Sequence, residues 1–145
     1  MSNSAQAQVS TDTVDVQNFH SEFLDTLVFN SVIEKRFQNN LAKLFWSDDM
    51  MSTAKEHAVG MSTKQEMYYL SMRKGQCIVS LEFDNVSITY QDLADLMIQK
   101  WLASPGHKKL LLGEFFIYGA TASSFTLVEK NKVYFKGVFY VSYEP

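Results

Sequence analysis

The chain has 145 residues, the size of one typical domain and long enough to bury a core without staples. Apolar residues make up 46% and aromatics 14%, which excludes an intrinsically disordered chain. Thirteen Lys and Arg against 16 Asp and Glu give a net charge of -3, without the basic excess of a nucleic-acid binder, and the one Cys excludes an internal disulfide framework.

Residues 1–18 are polar, lack a helical apolar face, and read as a flexible tail ahead of a single domain at 19–145. They lack the basic start and apolar stretch of a secretory signal, although Ala5-Gln6-Ala7 looks like a cleavage-site remnant. The expectation is a chain that stays in the cytoplasm or one whose leader has been removed. No apolar run approaches the ~18–20 residues of a membrane helix.

Phe23, Leu24, Leu27, Val28, Val32, Ile33, Phe37 and Leu41 recur at helical spacing and predict a first helix of about five turns. Ser47, Asp48 and Asp49 suit the cap and first turn of a second helix over 49–61, buried through Met50, Met51, Ala54 and Ala58. Residues 62–75 follow neither period, and 77–83 read as a short strand. Thr89 and Asp92 resemble a capping box for a third helix over 90–103, with Pro105 and Gly106 as its stop. Residues 115–122, 126–130 and 133–143 are strand-like, with a turn at Asn131. Helices and an antiparallel sheet in segregated layers predict an α+β sandwich.

Three segments carry a family resemblance. Leu44-Phe45-Trp46-Ser47-Asp48-Asp49-Met50 and then Ala54-Lys55-Glu56-His57-Ala58 resemble the entry to the second helix of the CAP superfamily of cysteine-rich secretory, antigen 5 and pathogenesis-related proteins. Arg36 and Leu41 sit where the first helix of that family carries an Arg and a following Leu. The run from Trp101 through Ser104-Pro105-Gly106-His107 to Leu111 is similar to the bacterial W-x-x-S-P-G-H signature. The resemblance spans roughly residues 22–144. It implies a three-layer α-β-α sandwich with the His107 loop opening on a central cleft, and an extracellular or periplasmic setting.

Departures from the family pattern bear on function. Many members hold two His and two acidic residues in that cleft, and some bind zinc there. His107 matches the second His, but 61–74 contain no His for the first. The family Glu becomes Gln76 or Val79, depending on the register. Glu82 is the nearest acid, and strand alternation turns it away from position 79. The resulting expectation is a non-enzymatic CAP-like binding module with a degenerate cleft and no cofactor. It would bind a protein, lipid or small-molecule ligand, and no nucleic acid. The cleft candidates are Ser104, His107, Lys108, Gln76, Glu82 and His57.

The rival is a metal-dependent, zinc-type enzyme or metal module rebuilt around His107 with Glu82, His57 or Glu114. A zinc site needs three or four ligands, and no such cluster accompanies His107 in sequence. His57 reads as a packed histidine of the second helix and Cys77 as a small buried hydrophobe. No phosphate-binding loop, dinucleotide fingerprint, nucleophile elbow or C-x-x-C occurs.

Overall fold

The computed structural model of the chain describes residues 9–84, 88–129 and 132–144. A short 3-10 turn, Val16–Asn18, precedes α1 (Ser21–Gln38), β1 (Phe45–Trp46), α2 (Asp48–Lys64), β2 (Gly75–Asp84), α3 (Tyr90–Ala103), α4 (Pro105–Leu111), β3 (Tyr118–Glu129) and β4 (Lys132–Ser142).

The caps explain where the helices begin. Ser47 Oγ accepts the Met50 N–H ahead of α2, and Asp48 and Asp49 sit in its positive first turn. Thr89 Oγ1 accepts the Asp92 N–H ahead of α3. Gln65, left-handed at φ 53°, closes α2. Pro105 has the opposite effect to the one predicted. It occupies the first turn of α4, where its fixed φ suits a helix and its missing N–H costs nothing, so the His107 segment is helical rather than a loop.

The strands lie in the order β1-β3-β4-β2. The three long strands are antiparallel, and the two-residue β1 adds a parallel edge, pairing Phe45 with Tyr118 and Trp46 with Gly119. Side-chain alternation assigns the faces. Cys77, Val79, Leu81, Val133, Phe135, Phe139 and Val141 join the core under α1 and α3. Ile78, Ala120, Ala122, Val138 and Tyr140 meet Met50, Ala54, Ala58 and Met61 of α2. The result is an α+β sandwich of three layers, with α2 alone on one face and the other three helices on the opposite one.

Several elements differ from the sequence reading. The first helix ends at Gln38 rather than continuing to Leu41, because Asn40 turns left-handed at φ 59°. Phe37 is 75% exposed, and the buried line runs Leu24, Val28, Val32, Arg36 instead. The second helix runs on to Lys64, so only 65–74 remain as a connection. Residues 118–129 form one strand instead of two, and the Asn131 turn lies outside the described residues. The described part of the predicted tail is not loose. Val14 and Val16 are buried, Thr13 bridges Thr89, and the Tyr90 N–H at the start of α3 bonds the Asp12 carbonyl.

A candidate cleft closed by its own loop

Three of the sequence candidates converge on one short stretch of chain, residues 68–70. From α2, the His57 ring is buried between two partners. Its Nε2 lies 2.6 Å from the Tyr68 carbonyl and its Nδ1 lies 2.7 Å from the Tyr140 hydroxyl. A carbonyl only accepts, so Nε2 carries the proton in the neutral ring and Nδ1 accepts the phenol O–H. Burial holds the His57 pKa below the ordinary histidine value and raises that of Tyr140.

Gln76, at the start of β2, holds the next position but one. Its amide oxygen accepts the Leu70 N–H at 2.8 Å and its amide nitrogen donates to the Leu70 carbonyl at 2.7 Å. Only a side chain that both donates and accepts can make this pair of bonds. An ionised Glu at this position would only accept. Between them stands Tyr69, whose exposed hydroxyl lies 3.0 Å from His107 Nε2 on α4. Partial burial lowers the His107 pKa. Tyr68, Tyr69 and Leu70 are thus each engaged by one candidate side chain.

The remaining candidates do not join them. Glu82 lies six residues further along β2, roughly 20 Å from Gln76 at ~3.3 Å per residue, and pairs with Lys132 at 2.9 Å on the surface. The Glu82–His107 pairing of the metal reading is therefore not formed. Val79, the other register for the family Glu, is buried in the core on the opposite face. Ser104 joins α3 to α4 without a side-chain cap bond, and Lys108 and Glu114 are exposed. The Cys77 thiol lies 3.7 Å from the His107 carbonyl and is driven well above its ordinary pKa by burial, so it is a protonated core side chain. Among the described residues, no three His, Cys, Asp or Glu are grouped to hold a metal ion.

Two polar clusters escape the sequence reading. Asp25, only 6% exposed on α1, accepts the Ser123 hydroxyl at 2.7 Å while Lys55 Nζ holds the Ser123 carbonyl at 2.6 Å. Burial raises the Asp25 pKa to about 7, against lowering by the Ser123 bond and the Lys55 charge. Lys136, buried on β4, donates to Ser80 on β2. The signal in each case was a polar residue at an inward position of an otherwise apolar face, and the spacing alone does not name its partner.

The bonds of Gln76 make a direct prediction. Gln76→Glu lowers stability at pH 7 by about 1–3 kcal/mol, since the Leu70 carbonyl then faces a carboxylate and loses its donor. Urea unfolding curves measure this. The deficit shrinks as pH falls through the Glu range and the side chain regains a proton to donate. A variant as stable as the parent at pH 7 excludes the clamp.

The fold is CAP-like. Among solved structures, the chain is similar to an extracellular protein containing an SCP domain from Bacillus anthracis str. Ames, with a TM-score of 0.59 and 19% identity over 82% of this chain and 40% of that one. It is similar to an outer surface protein from Borrelia burgdorferi, with a TM-score of 0.56 and 15% identity over 85% of this chain and 97% of that one. It is also similar to the protein MpPR-1i, with a TM-score of 0.64 and 12% identity over 86% of this chain and 90% of that one. The chain covers only 40% of the length of the Bacillus anthracis protein. No family model and no curated protein matches it. Among the described residues, no helix is long and apolar enough to cross a membrane.

Proposed function

We propose that this chain is a non-enzymatic CAP-like binding module that takes a protein partner at the aromatic end of its sheet. The observation that carries this reading is a cluster of exposed apolar side chains where β1, the approach to β3 and the end of β4 meet. Phe45, Phe115, Ile117 and Tyr143 are all exposed there, Phe115 at 74%. Backbone bonds hold them together, from the Phe45 N–H to the Ile117 carbonyl and from the Ile117 N–H to the Ser142 carbonyl. Tyr143 stacks on Phe116 at 4.8 Å, and Lys43 Nζ sits 5.2 Å from the centre of the Phe45 ring. Large rigid aromatics beside a cation suit a protein interface better than a catalytic pocket.

The cleft supports the same reading from the other side. Gln76 spends both polar atoms of its amide, and His57 its Nε2, on the loop at 68–70, and among the described residues no three His, Cys, Asp or Glu are grouped to hold a metal ion at His107. Calorimetric titration with zinc at neutral pH should give no saturable one-to-one heat. One-to-one binding abolished by His107→Ala overturns the non-metal reading.

The surface is tested with the Phe115→Ser/Tyr143→Ser double variant, whose changes are exposed and leave the core untouched. A protein bound by the parent and released by the double variant supports the assignment. Sedimentation with anionic phosphatidylserine vesicles, lost in the same variant, would instead assign the surface to lipid. Partner binding unchanged in the double variant overturns it.

A further inference from the structure

Ser80 and Lys136 form a pair used by neither the cleft nor the aromatic end. They stand directly opposite each other in the β2–β4 ladder. Lys136 Nζ donates to Ser80 Oγ at 2.6 Å. Lys136 is 6% exposed while Ser80 is open to solvent, so the amine is sheltered and the hydroxyl is presented.

A buried lysine usually has a carboxylate to hold its charge. Glu82 lies on the same face of β2 as Ser80, but it is tied to Lys132 at 2.9 Å. Among the described residues, no carboxylate lies within ion-pair distance of Lys136. Burial without a counter-charge lowers the pKa of the amine, the condition under which a lysine becomes a proton acceptor. β2 is an edge strand, so about half of its backbone N–H groups point away from β4, and among the described residues no other strand pairs with them.

We propose that Ser80 is a nucleophile activated by Lys136, able to take an acyl group from an activated ester or thioester. The Oγ–carbon bond forms as the bond from that carbon to the leaving oxygen or sulfur breaks. The Oγ proton passes to Lys136 Nζ and from there to the departing alkoxide or thiolate. The products are a Ser80 ester and a free alcohol or thiol, with no redox change. The step ends at the Ser80 ester and involves no turnover, so it stands beside the non-enzymatic binding reading and needs neither the cleft nor the aromatic surface.

An alkyl fluorophosphonate tests it, since attack by a nucleophilic serine expels fluoride and leaves a stable phosphonyl adduct. Peptide mapping of the full chain should place the adduct on Ser80, and Ser80→Ala should lose it. Lys136→Arg keeps a donor toward Ser80 but cannot accept its proton, and should label about a hundredfold or more slowly, the scale of a lost general base. Unfolding the parent chain in urea should abolish labelling. If Lys136→Arg fails to fold, the urea comparison still decides. No adduct on Ser80 in the folded parent, or a rate unchanged in urea or in folded Lys136→Arg, overturns the proposal. A hydrogen bond that merely satisfies a buried ammonium gives one of those results.

Discussion

Asp25→Asn is expected to stabilise the fold by up to about 4 kcal/mol at pH 8, and by nearly nothing below pH 4. The Asp25 carboxyl is 6% exposed, and its pKa rises from 3.8 to about 7. The folded chain therefore holds a proton that the unfolded chain releases near pH 4. Stability from this group is fully present below the unfolded value and is lost as pH rises toward 7. Asn keeps the acceptor for the Ser123 hydroxyl and carries no charge to bury. Urea unfolding of both chains between pH 4 and pH 8 measures the effect. A difference that does not grow with pH would show that Asp25 ionises normally. His57 acts with the opposite sign, because burial lowers its pKa below 6.5. Its contribution is present above 6.5 and is lost as pH falls, in both chains alike, so it cancels in the comparison.

Arg36→Met should destabilise the chain by roughly 3–5 kcal/mol, the cost of breaking a buried charged network. Arg36 is fully buried without a carboxylate among its hydrogen-bond partners. Its Nε donates to the Ala42 carbonyl at 2.8 Å, and one terminal nitrogen donates to the carbonyls of Leu111 and Gly113 at 2.9 and 2.8 Å. The other terminal nitrogen has no hydrogen-bond partner among the described residues. Leu111 is the last residue of α4, so the guanidinium meets the negative end of that helix and ties it to the end of α1. Met keeps the length of the side chain but orphans all three carbonyls. Arg36→Lys should recover only part of the loss, because one ammonium does not reproduce the planar fork. Unfolding midpoints give the magnitude, and hydrogen exchange over 105–111 should show α4 opening first. A loss below about 1 kcal/mol for Arg36→Met would mean that water already serves these carbonyls.

The cap residues Ser47 and Thr89 were legible because a cap is a contact across three residues. β4 was legible because alternation states which side chains share a face. Arg36 stood out only through family resemblance, and helical periodicity misled at Phe37 and Leu41. That periodicity assigns a stripe, but it does not say that a charged residue on the stripe will turn inward and an aromatic beside it outward. That 61–74 contain no His and that positions 76 and 79 are Gln and Val was also readable. The engagement of His107 by Tyr69 was not, because Tyr69 belongs to a stretch, 62–75, with no period of its own.

By itself the sequence determined the α+β class, three of the four helices and the positions of the long strands, though not β1 or the continuity of β3. Those properties rest on neighbours within a turn or a strand. Only the tertiary structure decided what the polar residues do. Arg36 meets Leu111 across 75 positions, His57 meets Tyr140 across 83, and Asp25 meets Ser123 across 98. Burial removes water as the default partner of each group, so its pKa and its bonds are set by whichever distant residue the fold brings beside it.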